Sequence, residues 1–172
     1  WRNDPARFVQ SWPDWEIFKY TINGNARTVG DTLPITWYDG GKKPPAELAP
    51  LPEGQSLPAS GSILMGDKGT MVLPHVGGPR LLPAPNFKGY AKPDIPKHVN
   101  HYHSWVDACL VGKQTTDNFA YAGPLSEVVL LGTLAARFPG EKLEYDATKV
   151  AVTNHAAANA LVKQPWRDGW DV

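Results

Sequence analysis

The sequence predicts an α+β fold: an open-faced, mainly antiparallel mixed β-sheet with helices packed on one face. Three observations carry this expectation. Aromatic and β-branched runs stand at 15–22 and 33–38, each closed by a turn signal. The long stretch from His98 to Arg137 is free of scattered prolines and divides into two helical segments around a polar loop. Short apolar runs return at 142–145 and 150–152, ahead of a last helical segment. At 172 residues the chain is most simply a single domain, 1–172, able to bury roughly two thirds of its unfolded surface.

In chain order, residues 1–14 carry two tryptophans without a period and form an irregular lead-in. Trp15–Ile22 (WEIFKYTI) is a strand stopped by Asn23-Gly24, a strong turn pair. Leu33–Tyr38 (LPITWY) is a second strand, with Pro34 tolerated at its start or at a sheet edge. Residues 42–59 form a proline-rich loop. Ser62–Met65 and Thr70–Leu73 flank Gly66-Asp67-Lys68-Gly69 and make the clearest hairpin in the chain. A second proline-rich loop fills 74–97.

The first helix is expected to start near Asn100 and to stop at Gly112, a residue that closes helices in the left-handed conformation. The second is expected to begin with Pro124 at its first position and to run to Arg137, apolar nearly all round, so that it lies inside the protein. Lys142–Tyr145 and Val150–Val152 are short strands. A last helix, roughly 155–164, is capped by Thr153 or Asn154 and ended by Pro165. The closing WRDGWDV is expected to dock its two tryptophans against the rest of the protein. Trp15, Phe18, Tyr20, Trp37 and Tyr38 occupy both strand faces, so the sheet needs a cover on each side, from another domain or a sister subunit.

Composition narrows the function. There are 17 basic and 17 acidic residues with no run of either sign, so no basic stripe for nucleic acid exists. No stretch approaches the ~20 apolar residues of a membrane span. Twelve of the 17 prolines lie between Pro34 and Pro96, and the aromatics recurring among them indicate ordered loops rather than disorder. The single cysteine, Cys109, excludes an internal disulfide and is expected to be a buried, inert thiol.

Two constellations carry candidate chemistry. His98, His101 and His103, with Asp107, gather at the start of the first helix. Metal binding needs three or four converging ligands, and the helical pairs His98/His101 and His103/Asp107 point in different directions. Histidines lining a cleft are the expectation, and no metal is assigned. The second constellation is Trp37-Tyr38-Asp39-Gly40-Gly41-Lys42-Lys43, where a strand end meets glycines, an acid, lysines and aromatics. Such a set is either a plain tight turn or the mouth of a sugar site, with aromatic faces against C–H surfaces and polar groups on hydroxyls. Candidate substrate contacts are Trp37, Tyr38, Asp39 and Lys42, then His101 and His103. No G-x-G-x-x-G, phosphate-loop or G-x-S-x-G motif is present. Ser126, inside the second helix, is expected to be a small packing residue.

Taken together, TWYDGGKKPP (Thr36–Pro45), ELAPLPEG, SGSILMGDKGTMVLPH (Ser60–His75), HYHSWVDACLVGK, NFAYAGPLSEVVLLGTLAARFPGEKLEYD (Asn118–Asp146), TNHAAANALV and WRDGWDV resemble one family. It is the Gfo/Idh/MocA oxidoreductases, the glucose–fructose oxidoreductase and inositol dehydrogenase group, in the branch abundant in Bacteroidetes and Planctomycetes. The resemblance covers roughly residues 12–172 and is to the C-terminal domain. It implies a parent in which an N-terminal Rossmann domain, absent from this chain, holds NAD or NADP. This chain alone would then bind no cofactor. The substrate, a sugar or polyol, would sit between the domains, and the free sheet face would build a dimer or tetramer.

The family's catalytic lysine, in a Glu-Lys-Pro motif, and its Asp-x-x-x-His motif are expected upstream of Trp1, so no catalytic residue is assigned to this chain. An NAD-dependent glycoside hydrolase and a non-catalytic carbohydrate-binding or scaffolding module are the alternatives. The branch includes proteins exported by a twin-arginine signal, which leaves the compartment open.

Overall fold

The computed structural model describes residues 12–94, 100–163 and 165–170. They are α+β, with open antiparallel sheets and three α-helices. Two compact units divide the chain: one takes the residues up to Lys42 and from Asn100 onward, the other the continuous stretch between them.

The continuous unit is a meander of β3 (Gly61–Gly66), β4 (Gly69–Pro74) and β5 (Arg80–Leu82), in the order β3-β4-β5. Gly66 faces Gly69 across the Asp67-Lys68 turn, the hairpin the sequence predicts. β5 was not expected. Its three residues lie between Pro79 and Pro83, too short a run to show a period, and register with β4 (Thr70 opposite Leu82) creates it. Ala49, Val72 and Leu82 form the core, with Leu51, Leu57 and Ile63 packed on it. The proline-rich loop is held by Lys43, whose Nζ donates to the carbonyls of Pro58 (2.8 Å) and Ala59 (2.5 Å).

The other unit starts with the hairpin of β1 (Ile17–Asn23) and β2 (Thr32–Tyr38), paired antiparallel from Ile17↔Tyr38 to Asn23↔Thr32. Pro34 sits inside β2, opposite Thr21. In a two-stranded sheet both strands are edges, and there a missing N–H is tolerated. α1 (His101–Val111) has the expected ends: the Asn100 side chain accepts from the amides of Tyr102 and His103, and Gly112 is left-handed (φ 65°, ψ 30°).

α2 (Phe119–Ala135) starts five residues before the expected Pro124. Asn118 decides this. Its Oδ1 accepts from Ala120 N–H (2.9 Å) while its Nδ2 donates to Thr115 (2.8 Å), so the cap fixes both helix and approach. Pro124 therefore lies within the helix and leaves the Ala120 carbonyl without its i+4 donor.

α2 lies on β1. The Tyr20 hydroxyl donates to the Val128 carbonyl at 2.8 Å, and a Cβ on Gly132 would stand 2.4 Å from the Phe18 ring. A residue without a side chain is what lets helix and strand approach this closely. α2 is not enclosed, with Leu125, Ser126, Val129 and Leu130 all exposed, contrary to a helix buried on all sides. None of α1's residues is buried: Trp105 is 64% and Leu110 78% exposed. Cys109 is accordingly exposed, not the buried thiol expected.

β6 (Tyr145–Asp146) and β7 (Ala151–Val152) form a minimal antiparallel pair. α3 (Ala156–Asn159) is four residues long rather than ten, and its cap is His155, not Thr153 or Asn154. Nδ1 of His155 accepts from Ala158 N–H (3.0 Å) while Nε2 meets Glu141 (3.0 Å) and the ring packs on Phe138. Asn154 is instead occupied by the 142–144 segment: its Oδ1 accepts from Glu144 N–H and its Nδ2 donates to Lys142. Trp166 and Trp170 stay 53% and 61% exposed, so the described tail does not bury them as expected. Among the described residues no helix is long and apolar enough to cross a membrane.

Candidate functional site

Two adjoining clefts form where the approach to β1, the end of β2 and α2 meet. The larger, about 240 Å³, is lined by Trp12, Pro13, Asp14, Trp15, Glu16, Asp39, Gly40 and Thr133. The smaller, about 70 Å³, is lined by Glu16, Phe18, Trp37, Asp39, Val129 and Thr133. Glu16, Asp39 and Thr133 are common to both.

The turn after β2 builds the floor. Asp39 N–H donates to the Glu16 carbonyl (3.0 Å), extending the hairpin by one rung and setting the two acids side by side. Asp39 Oδ1 accepts from Gly40 N–H (2.6 Å), which orients the carboxylate. Gly40 has φ 61°, and a Cβ there would lie 2.0 Å from the Asp14 carbonyl oxygen and 2.3 Å from Trp15 Cα. Only glycine satisfies both the left-handed backbone and that approach.

Glu16 Oε2 is enclosed and finds no hydrogen-bond partner among the described residues. Burial, and secondarily the charge of Asp39, raises the Glu16 pKa above the ordinary carboxylate value. The walls are aromatic. Lys42 Nζ lies 4.2 Å from the Trp15 ring centroid and the Arg137 guanidinium 4.0 Å from that of Trp12. Trp37 stacks on Phe18 (5.9 Å, 9°) in the smaller cleft. Thr133 Oγ1 donates to the Leu130 carbonyl (2.7 Å), which leaves its lone pairs available at the cleft wall.

Of the residues singled out in the sequence, Asp39 and Trp37 line the clefts and Lys42 flanks the larger one through Trp15. Tyr38, paired with Ile17, lines neither. His101 and His103 are exposed on the first turn of α1, and neither lines a cleft. His98 lies outside the described residues. Among those described, no group of three or more His, Cys, Asp or Glu is arranged to hold a metal ion.

Trp12, Trp15, Glu16, Thr133 and Arg137 were not foreseen. The segment Trp12-Pro13-Asp14-Trp15-Glu16 had a local signal, two indoles and two acids just before a strand; Thr133 and Arg137 had none. Asp94 and His98 also stand at Asp-x-x-x-His spacing. No role is assigned to them.

For a nicotinamide dinucleotide the described strands do not fit. Every pair is antiparallel, so the parallel strand–helix–strand crevice that holds such cofactors is not built from them. No family model, curated protein or solved structure matches this chain.

Proposed function

We propose that this chain is the substrate-side C-terminal part of an NAD(P)-dependent oxidoreductase of the Gfo/Idh/MocA type, acting on sugars or polyols. The observation that carries the reading is the indole-walled cleft with Glu16 and Asp39 side by side at its floor. Sugar rings present C–H faces that pack on indoles, and their hydroxyls donate to carboxylates; both kinds of surface meet here. In the parent enzyme, a nicotinamide bound by the Rossmann half would supply hydride transfer to or from a carbinol carbon. The share of this chain is orientation: Trp12 and Trp15 seat the ring, while Glu16, Asp39 and Thr133 bind hydroxyls away from the reacting carbon.

The exposed apolar rows of α1 (Tyr102, Trp105, Val106, Leu110) and α2 (Leu125, Val129, Leu130) support a subunit or domain interface. Aldoses, polyols and inositols supplied to the full-length gene product with NAD⁺ or NADP⁺ test the oxidoreductase reading. Reduced nicotinamide should accumulate with at least one of them. Hydrolysis of an aryl glycoside without net NADH would move the parent to the glycosidase alternative. A gene with no upstream dinucleotide domain would leave a carbohydrate-binding module.

A further inference from the structure

His155 ties together three parts of the chain with one ring. Its Nδ1 accepts from Ala158 N–H (3.0 Å) and caps α3, its Nε2 meets a Glu141 carboxylate oxygen at 3.0 Å, and its face lies on Phe138 with centroids 4.6 Å apart. A ring nitrogen that accepts from an amide carries no proton, so the cap selects the neutral tautomer, with its proton on Nε2 and donated to Glu141. What the cap holds is small but enclosed. Ala158 is fully buried, and the buried Val152 donates its N–H to Asn159 Oδ1 (2.9 Å), which ties α3 to β7. A four-residue helix has too few internal hydrogen bonds to stand alone, so its end contacts matter more than they would in α2.

We propose that His155 is an acid-released latch for the C-terminal segment. A second proton on the imidazole must go to Nδ1, where it meets the Ala158 N–H donor against donor, and the cap opens. Glu141 is the charged group that meets the ring, and it favours the doubly protonated form through Nε2. That attraction keeps the ring on the turn after α2 without restoring an acceptor to α3. The remaining neighbours do not titrate or are paired among themselves: α3 is Ala-Ala-Ala-Asn, β7 is Ala-Val, Lys142 meets Glu144 (3.2 Å) and Lys149 meets Asp146 (2.8 Å). The other histidines stand at 75, 98, 101 and 103, outside this segment. The latch is independent of the carbohydrate reading.

Amide hydrogen exchange of the intact chain, corrected for intrinsic rates, tests it from about pH 7.5 to about pH 5. Protection at Ala158 should fall about fivefold to tenfold on acidification, while Ala120, whose cap is the non-titrating Asn118 side chain, keeps its protection. Nitrogen-15 spectra of the imidazole should show the proton on Nε2 at the upper pH. His155→Asn supplies a cap that cannot take a proton and should hold Ala158 equally at both ends of the range. Equal protection of Ala158 at both pH values overturns the latch, as does a fall shared by Ala120, which would mark general loosening. A fall that persists in His155→Asn, or a proton found on Nδ1 at the upper pH, overturns it too. The comparison of Ala158 with Ala120 is made in the unsubstituted protein and stands whether or not the variant folds.

Discussion

The Tyr20 hydroxyl donates to the Val128 carbonyl across 108 residues of chain, and one helical turn further on Gly132 meets the Phe18 ring. The two contacts fix the height and the angle of α2 on β1. Tyr20→Phe removes the hydrogen bond and should cost about 1 kcal/mol. Gly132→Ala forces a methyl group into Phe18 and the Tyr20 oxygen, and should cost about 1–3 kcal/mol. Urea denaturation followed by circular dichroism reads both, and a Gly132→Ala variant as stable as the parent would contradict the close approach.

Gly40 supports the cleft in the same way that Gly132 supports the helix. Gly40→Ala combines a positive φ with a clash against backbone atoms of Asp14 and Trp15, neither of which can rotate aside. A loss of about 1–3 kcal/mol is expected. Sugar binding should weaken along with stability, whereas Gly41→Ala, with open space around its Cβ position, should suffer only the φ penalty.

Tyr145 gives the chain a signature at high pH. Burial first, then the hydrogen bond to the Glu127 carboxylate and its charge, push the phenol up to about 12. The folded state thus holds that proton more tightly than the unfolded chain, whose tyrosine titrates near 10. Its stabilising contribution is whole below pH 10 and is lost as pH rises from there towards about 12. Ultraviolet titration at the phenolate band should show Tyr145 ionising late, alongside Tyr20, which burial also raises, and Tyr145→Phe should remove one late-ionising group. If all tyrosines ionise together near pH 10, the contact with Glu127 is wrong.

The apolar rows on α1 and α2 should be covered in solution. Light scattering of the protein after size-exclusion chromatography is expected to give a dimer or tetramer. Leu110→Glu together with Leu130→Glu should lower that mass without lowering helix content, since both side chains are exposed and absent from the contacts that hold α2 on β1. An unchanged mass would place the interface elsewhere.

Where the sequence was legible, the determinants were local. Asn100 and Gly112 bound α1 through groups within four residues, and Gly66-Asp67-Lys68-Gly69 makes its own turn. The start of α2 was misread because Pro124 is a conspicuous signal and Asn118 a quieter one, yet the asparagine makes two hydrogen bonds while the proline loses one. The short α3 and its His155 cap depend on Glu141 and Phe138, more than ten residues away. The site followed the same rule. Trp37, Asp39 and Lys42 announce themselves at a strand end, but Thr133 reaches the cleft only because Gly132 admits the helix to the strand.

The separation between Tyr20 and Val128 also sets a schedule for synthesis. On a ribosome adding ~5–20 residues per second, β1 and β2 emerge roughly 5–20 s before the helix that covers them. During that interval Phe18 packs only within its own hairpin, on Trp37 and Tyr20, while the stretch from Lys43 onward carries all of its own core residues, Ala49, Val72 and Leu82. The nascent hairpin is thus the part of this protein most exposed to aggregation or chaperone capture, and the inserted meander is the part that matures first.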